Sequence, residues 1–444
     1  MERILELAIK RADAAEVFRI DRSQHPILFQ NGKLATSERE DMWGVALRII
    51  KDGKIGFSTT TSLGDTEGVV ARAISASKYG PEAEIEFQSN SSESINESIY
   101  DPDIMDLSIS EMIGQGQKMM SIVLDSFPEI SINGDISKSI DDIRIINSSG
   151  GDVKFRKSMH QAFIEILLTL EGDRAELEHG WSSTSLGEGY LKLANDAVWR
   201  FRNCSRVASI ETGRMPVIFT SLAFRGLYVP LFQALNGLNI HKETSILSGK
   251  LGESVVDSCF TLVDDPHARG LPGSTPFDDE GTPTMRKSLI SKGILEGFFY
   301  NLKTAGKAGV ESTGNGFKKS SLYTGFSVDS QPGAWPSNFV ISPGDKTIPE
   351  MIKGIKQGII VDDVIGAGQG NNMAGAYAMN VALGYKIENG EIVGRLKDVM
   401  IAGNVMESLS NISEMSEEVF DEDCLFGRYS TPWISVNDCS VSAT

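Results

Sequence analysis

The sequence contains five histidines, and no two of them lie within one helical turn of each other. A zinc site on a helix needs two such histidines on one face, so that their ring nitrogens converge on the metal. His179, which neighbours two glutamates, and the pair His241 and Glu243 could still join a site assembled across the fold. In the structural interpretation, which we favour, His179 is a solvated histidine at a strand end. In the same interpretation, His241 and Glu243 lie in a turn, and their side chains face different ways.

Two groups of carboxylates form the next candidate site. Asp264 and Asp265 precede a proline, and Asp278, Asp279 and Glu280 follow in a second turn-like stretch. Carboxylates on two turns could bind a hard cation or receive the amino terminus of a peptide. Aspartate and glutamate are also common turn residues, which gives the pattern a structural explanation.

Motifs for nucleophilic catalysis and phosphate binding are missing or incomplete. Gly-x-Ser-x-Gly, the turn that exposes a serine nucleophile, does not occur. Cys424 follows acidic residues at 421–423, whose charge would raise the pKa of its thiol rather than activate it. The run GAGQGN at 366–371 lacks the lysine and the hydroxyl residue of a phosphate-binding loop, so we interpret it as a tight or flexible loop.

The composition indicates a cytoplasmic protein without direct contact to nucleic acid or membrane. The 60 acidic residues exceed the 42 basic ones and give a formal net charge of −18. A surface of that sign repels phosphate backbones. The sequence shows neither a run of about 18 apolar residues nor a leader-like N-terminus. The four cysteines are scattered without a Cys-x-x-Cys pair, which predicts reduced, mostly buried thiols.

The elements that would position these residues fall into two regions, as the length of 444 residues suggests. In the first, residues 1–205, we predict helices at 2–15, 66–79, 110–127 and 189–201. Asp52 and Gly53 are a favoured turn pair, so we expect a hairpin there. Residues 81–107 are interpreted as a surface connection and 130–184 as long antiparallel strands. The mixture predicts an α+β fold, with an N-terminal α/β domain that contains long antiparallel strands.

The second region, residues 206–444, begins where 206–214 interrupt the periodic segments. Short strands follow, separated by turns rich in glycine and proline. Helices are predicted only at 221–235, 348–357 and 405–416. We therefore expect a C-terminal β-rich, barrel-like domain with few helices.

Seven stretches of this second region resemble, in the same order, the TldD/PmbA family of peptidase-related proteins, also called modulators of DNA gyrase. They are SILSGKLG at 245–252, TLVDDP at 261–266, FDDEGTP at 277–283, STGNG at 312–316, GYKIENGE at 384–391, IAGN at 401–404 and STPWISV at 430–436. Each stretch alone is weak, whereas seven in order over roughly 200 residues form a specific signature. The N-terminal half fits the family in length and texture.

The TldD-like branch of this family carries a His-Glu-x-x-x-His helix, whose histidines hold zinc and whose glutamate is the general base. Here Tyr228 and Gln233 stand at the histidine positions and Val229 stands at the glutamate position. The cysteine-containing C-terminal signature of that branch is also absent, although Cys424 lies near its place. The sequence therefore resembles the PmbA (TldE) branch. We expect a degenerate site near these three residues, with no catalytic residue and no metal in this chain.

The resemblance implies a subunit of a metallopeptidase that acts on small, unfolded peptides. Zinc is then expected in a TldD-like partner, with which the chain would form a heterodimer; a homodimer is the other arrangement. One alternative is an autonomous metallopeptidase that uses His179, His241 and the carboxylates of Asp264 and Asp265. Another is an interaction protein, such as a gyrase-binding regulator whose acidic surface mimics nucleic acid. The sequence does not indicate which residues contact the peptide.

Overall fold

A computed structural model describes residues 1–62, 64–94, 99–170, 173–204, 206–318, 327–424 and 427–443. Helices make up 23% of the chain and strands 43%, which confirms the predicted α+β fold. Among the described residues, every helix is too short or too polar to cross a membrane.

The first region contains one large sheet and the helices that cover it. Its elements are α1 (Glu2–Ile9), β1 (Ala14–Gln30), β2 (Lys33–Ser37), β3 (Glu40–Lys51), β4 (Lys54–Thr60), α2 (Thr66–Ser77), β5 (Ser91–Ser94), α3 (Pro102–Asp106), α4 (Ile109–Ser126), β6 (Ser131–Asn147), β7 (Asp152–Leu170), β8 (Asp173–Ser183) and α5 (Gly189–Arg202). The strand order is β4-β3-β1-β6-β7-β5, with β2 beside β1 and β8 beside β7. The long strands β1, β6 and β7 pair antiparallel. In residues 130–184 this pairing, continued by β8, agrees with the prediction of long antiparallel strands.

Alternation along β1 explains how this sheet is covered on both faces, because successive side chains point to opposite sides. Val17 packs in one core with side chains of α1 and α2. The next residue, Phe18, packs in another core with Phe277 of the second region. Asp52 and Gly53 have φ values of 51° and 71°, which confirms the predicted hairpin turn between β3 and β4.

The second region consists mainly of shorter strands. Its elements are β9 (Gly213–Phe219), α6 (Arg225–Leu235), α7 (Gly237–His241), β10 (Leu262–Asp264), β11 (Lys287–Ser291), β12 (Ile294–Leu295), α8 (Leu302–Ala308), β13 (Gly316–Phe317), β14 (Gly333–Ala334), β15 (Phe339–Ile341), α9 (Ile348–Gly354), β16 (Gln357–Ile365), β17 (Ala376–Glu388), β18 (Glu391–Arg395), β19 (Val399–Asn404), α10 (Val405–Ser410), β20 (Ile412–Cys424) and β21 (Gly427–Ala443). Two short 3-10 turns lie at Ser327–Asp329 and Asn372–Ala374.

The barrel of the second region closes through its last strand. Along the main sheet β21, β19, β17, β16 and β9 are neighbours, and β21 pairs with β9 as well. This closure confirms the prediction of a β-rich, barrel-like C-terminal region. Helix α6 is buried on nearly all sides in the core formed with these strands, as expected for a helix that is apolar around its whole circumference.

Four predicted helices are shorter in the structure by three residues or more. The first ends at Ile9, because the chain from Ala14 onward pairs with β3. The last ends at Ser410, because the chain from Ile412 onward pairs with β21. The helix predicted at 348–357 ends at Gly354, where β16 follows within three residues.

The fourth of these, α6, begins at Arg225 rather than at residue 221. Thr220 holds a turn before it, since its hydroxyl donates to the carbonyl oxygen of Asp362 at 2.9 Å and accepts from the backbone nitrogen of Ala223 at 3.4 Å. The stretch 81–107, interpreted as a connection, contains β5 and α3 in its described part.

A second, larger hydrophobic core also contains side chains of both regions. It contains Ile27 and Ile164 of the first sheet, Phe201 of α5, and Tyr385 and Trp433 of the barrel. Because side chains from both regions share this core, the division of the chain into domains at residue 205 stays a prediction.

Candidate functional site

Aromatic rings fill the part of α6 where the resemblance places a zinc site. Tyr228 is 1% exposed, and its ring lies 5.3 Å from that of Phe339 and 5.1 Å from that of Tyr429. Phe232 stacks on it one helical turn later. We call these four residues the aromatic cluster. Gly427 permits the close approach of the Tyr228 hydroxyl, because a Cβ there would lie 2.0 Å from that oxygen.

The other two positions of the predicted degenerate site offer no metal ligand set. Val229 is buried and has no donor atom in its side chain. The Gln233 side-chain oxygen accepts from the Asn239 amide at 2.9 Å. A phenol packed among rings, a valine and an engaged amide do not fit zinc, which prefers deprotonated nitrogen, sulfur or carboxylate ligands. In the described parts of the chain, no three His, Cys, Asp or Glu residues lie together as a metal site would require.

His179 is buried, so its interpretation as a solvated strand-end residue is wrong. It lies on the inner side of β8, with Nε2 3.3 Å from a carboxylate oxygen of Glu422 and Nδ1 3.5 Å from Arg200. Ser221 donates to the other oxygen of Glu422 at 2.6 Å. Burial alone would raise the pKa of Glu422, but the attraction and hydrogen bond of His179 and the bond from Ser221 hold it below its usual value. The histidine is thus part of a buried polar link between β8 and β20.

His241 is the last residue of α7 rather than a turn residue beyond a helix. Glu243 follows with a φ of 54°. Neither forms an ion pair or a metal-binding group within the described residues.

Asp264 is a structural carboxylate. It is fully buried and accepts hydrogen bonds from the backbone nitrogens of Ser337 and Asn338, from the Ser337 hydroxyl and from the Asn315 amide. Lys287 pairs with it at 3.0 Å. Its neighbour Asp265 accepts the backbone hydrogen bond of His267, as turn aspartates do. These contacts already engage the carboxylate oxygens of Asp264 and Asp265 that would otherwise be ligands of a cation.

The second carboxylate group also turns inward. Asp278 accepts from the backbone nitrogens of Glu280, Thr282 and Gly316, which closes the loop at 278–282. Burial, reinforced by the charge of Glu280, raises the pKa of Asp278 well above its usual value. The two carboxylate groups therefore hold loops, and they form no metal-binding group in the described part of the chain.

A charged cluster links this loop to the first sheet. Arg48 donates from Nη1 to Glu280 at 2.6 Å and from Nη2 to Glu16 at 2.9 Å. Lys318 and Asp279 complete the cluster, with the backbone nitrogen of Lys318 donating to Asp279 at 2.7 Å. Burial raises the pKa of Glu16 to about 7, because the repulsion from Glu280 adds to desolvation and Arg48 only partly offsets both. No local pattern in the sequence predicts this cluster.

The remaining sequence candidates have ordinary structural roles. Gly366, Gly368 and Gly370 all adopt positive φ, so the run is a tight loop, as predicted. Cys204 and Cys439 are buried, whereas Cys259 is exposed; all three are free thiols. The side chain of Cys424 lies outside the described structure.

A groove at the C-terminal end of α6 was missed by the sequence analysis. It has a volume of about 650 Å³ and lies between α6, α7, α8 and β14. Phe232 and Trp335 stack on its wall with ring centroids 4.8 Å apart, and Gln233 lies beside them. The local signal was the tryptophan after a Pro-Gly pair at 332–333, but nothing in the sequence placed it against a helix about a hundred residues earlier.

Comparison with known proteins agrees with this architecture. Residues 212–443 match the model of the PmbA/TldA metallopeptidase C-terminal domain, and residues 15–78 match that of PmbA/TldA metallopeptidase domain 1. An uncharacterized protein of Methanocaldococcus jannaschii is 25% identical over 412 residues, with 92% of each chain covered.

Two crystal structures share the fold. TldE from Thermococcus kodakarensis superposes with a TM-score of 0.86 at 23% identity, with 100% of both chains covered. A Thermotoga maritima protein, described as a candidate modulator of a DNA gyrase, superposes with a TM-score of 0.83 at 24% identity over 99% of each chain. At these identities the likeness establishes the fold alone.

Proposed function

Since this chain belongs to the PmbA/TldD metallopeptidase family, we propose that it is the subunit without the catalytic zinc in a two-chain peptidase. Zinc and the general base are then supplied by a TldD-like partner, and the substrates are small, unfolded peptides in the cytoplasm. The role of this chain is to complete the particle and to hold peptide, with no catalytic residue of its own.

The observation that carries this proposal is the aromatic cluster. At the position where a TldD-like chain would have its first zinc ligand, Tyr228 is packed between Phe339 and Tyr429. A metal would have to displace this packing, and apart from Tyr228 the helix would offer it only the side-chain oxygen of Gln233 as a potential ligand. Rings in this place stabilise the core, and they leave the chemistry to another subunit.

Metal analysis tests the proposal directly. The pure chain is measured alone, and again after co-expression with a TldD-like protein, alongside peptide hydrolysis by each preparation. We expect less than stoichiometric zinc and no hydrolysis from the chain alone, and a stable complex that contains zinc and cleaves peptides. The TldD-like protein purified by itself is the matched control. One tightly bound zinc per isolated chain would overturn the metal-free assignment.

Two other functions lead to different results in the same preparations. Proteolysis by the pure chain that a chelator abolishes would favour an autonomous metallopeptidase, but the buried contact of His179 Nε2 with the Glu422 carboxylate argues against a site there. A regulator of DNA gyrase is suggested by the name of the Thermotoga maritima protein. Retention of gyrase by the chain, without any peptidase partner, would favour that role. A homodimer in solution would replace the heterodimer in either case.

A further inference from the structure

The groove at the end of α6 has an apolar wall and a preformed shape. Phe232 is buried and stacks on Trp335, which is half-buried and faces the groove. The Asn236 amide donates to the carbonyl oxygen of Ala334 at 2.9 Å and ties α7 to β14. Asn301 likewise donates to Pro332 at 3.2 Å, at the start of α8. These bonds fix the walls, so that a ligand would enter a site that is already formed.

Charge on the rim of the groove favours an anion. Three lysines line it, of which Lys307 pairs with Glu84 at 2.8 Å. For Lys242 and Lys303 we find no ion pair with any described residue, and Glu82 is the one acidic rim residue left opposite them. A local excess of positive charge stands out on a chain whose formal net charge is −18, and it would attract anionic ligands from solution.

A neutral hydrogen-bond donor lines the same groove as these lysines. The side-chain oxygen of Gln233 is engaged by Asn239, which orients the amide and directs its nitrogen away from that contact. Within the described chain, no acceptor for this nitrogen is found. An amide donor next to lysines matches a carboxylate, whose oxygens accept several charge-assisted hydrogen bonds.

We propose that this groove binds the carboxyl-terminal residue of a short peptide whose last side chain is apolar or aromatic. The side chain would pack on Trp335 and Phe232, while the terminal carboxylate would accept from Gln233, Lys242 and Lys303. This inference rests on the proposed function, because it assigns the peptide-holding role of this chain to one site. The ligand must have a free C-terminal carboxylate, which an internal loop of a folded protein does not have.

Calorimetric titration of the full chain with the tetrapeptide Ala-Ala-Ala-Phe tests the inference. The free acid should bind at least about tenfold more tightly than the same peptide with a C-terminal amide, since amidation removes the charge and one acceptor. The double variant Lys242→Gln and Lys303→Gln should reduce the affinity for the acid to that for the amide. The control variant, Lys33→Gln with Lys250→Gln, removes two exposed lysines away from the groove and should bind as the wild type does.

Several results would overturn the inference. The first is equal affinity for the free acid and the amide, and the second is no binding of either peptide to the full chain. The third is an equal loss of affinity for the free acid in both double variants, which would indicate a general effect of charge. Trp335→Phe, which keeps a ring in the wall, should lower the affinity for the free-acid peptide less than Trp335→Ala does. If the heterodimer hydrolyses peptides but this chain does not bind them through their carboxylate, the proposed role of the groove is wrong and the proposed function stands. If this chain binds peptides through their carboxylate but forms no zinc-containing complex, the proposed function is wrong and the role of the groove stands.

Discussion

The two buried clusters of this molecule are stabilised in opposite ways. In the aromatic cluster, Tyr228, Phe232, Phe339 and Tyr429 fill space with rings in edge and stacked contacts. In the charged cluster, which is as deeply buried, Arg48 lies between Glu16 and Glu280. Burial of rings is favourable in itself, whereas burial of charges is tolerated only when each charge has a partner.

This contrast shows where the fold depends on specific partners. The aromatic cluster lies inside the barrel region, and its packing depends on shape. The charged cluster joins β1 and β3 to the loop at 278–282 of the other region. Loss of Arg48 there leaves two glutamates desolvated without the cation that contacts both. We therefore expect the charged cluster to respond more strongly to single changes, and to respond to pH.

The largest effect is expected for Arg48→Met. Glu16 and Glu280 would stay buried without the cation that contacts both, which costs about 3–5 kcal/mol in the free energy of unfolding. Urea denaturation of the purified chain measures this loss. The matched control is Arg39→Met, because Arg39 pairs with Asp41 in the open, with both side chains more than 60% exposed. That pair should contribute little to stability, because both charges remain solvated. Similar losses in the two variants would show that burial of the charged cluster has no special cost.

A smaller effect is expected for Tyr228→Ala. Removal of the ring from the aromatic cluster leaves a cavity and should cost about 3 kcal/mol. Tyr228→Phe keeps the ring and should cost about 1 kcal/mol or less. Denaturation of both variants at about pH 6 and about pH 8 should give the same losses, because no charge takes part. A loss that depends on pH would remove the contrast between the two clusters.

Local features were the ones that the sequence could predict. The hairpin at Asp52 and Gly53 follows from two adjacent residues that tolerate positive φ, and it is present. The apolar character of α6 could also be read directly, and the resemblance located the degenerate site within it. Neither cluster could be predicted from pattern alone, because Arg48 and Glu280 are 232 residues apart. Such contacts depend on strand register and on the topology of the sheets, which cannot be derived from a single sequence.

The burial of His179 could have been predicted from the alternation of residues along its strand. Ala175 and Leu177 alternate with it along β8, and all three side chains are buried. Period-two alternation places His179 on the inner face with its apolar neighbours. The partner, Glu422, lies on β20, so the contact between the two side chains could not be foreseen.

The smallest and most specific effect concerns the pH response of Glu16. Its pKa is about 7 in the folded chain and close to the usual glutamate value of about 4.3 when unfolded. Between these values the folded state holds a proton that the unfolded state has lost, so this group makes the protein less stable as pH rises through the window. The stability of wild type relative to Glu16→Gln should therefore fall by about 2 kcal/mol from about pH 5 to about pH 8.

Comparison with the variant is needed because other buried groups titrate in the same range. Burial lowers the pKa of Lys157 to about 7, so that group adds stability as pH rises above this value and opposes the trend of Glu16. Subtraction of the Glu16→Gln curve removes such common contributions. Glu38→Gln, a change at an exposed glutamate, should give a curve parallel to that of wild type. If the Glu16→Gln curve were parallel as well, Glu16 would be ionised throughout, and Arg48 alone would balance both glutamates.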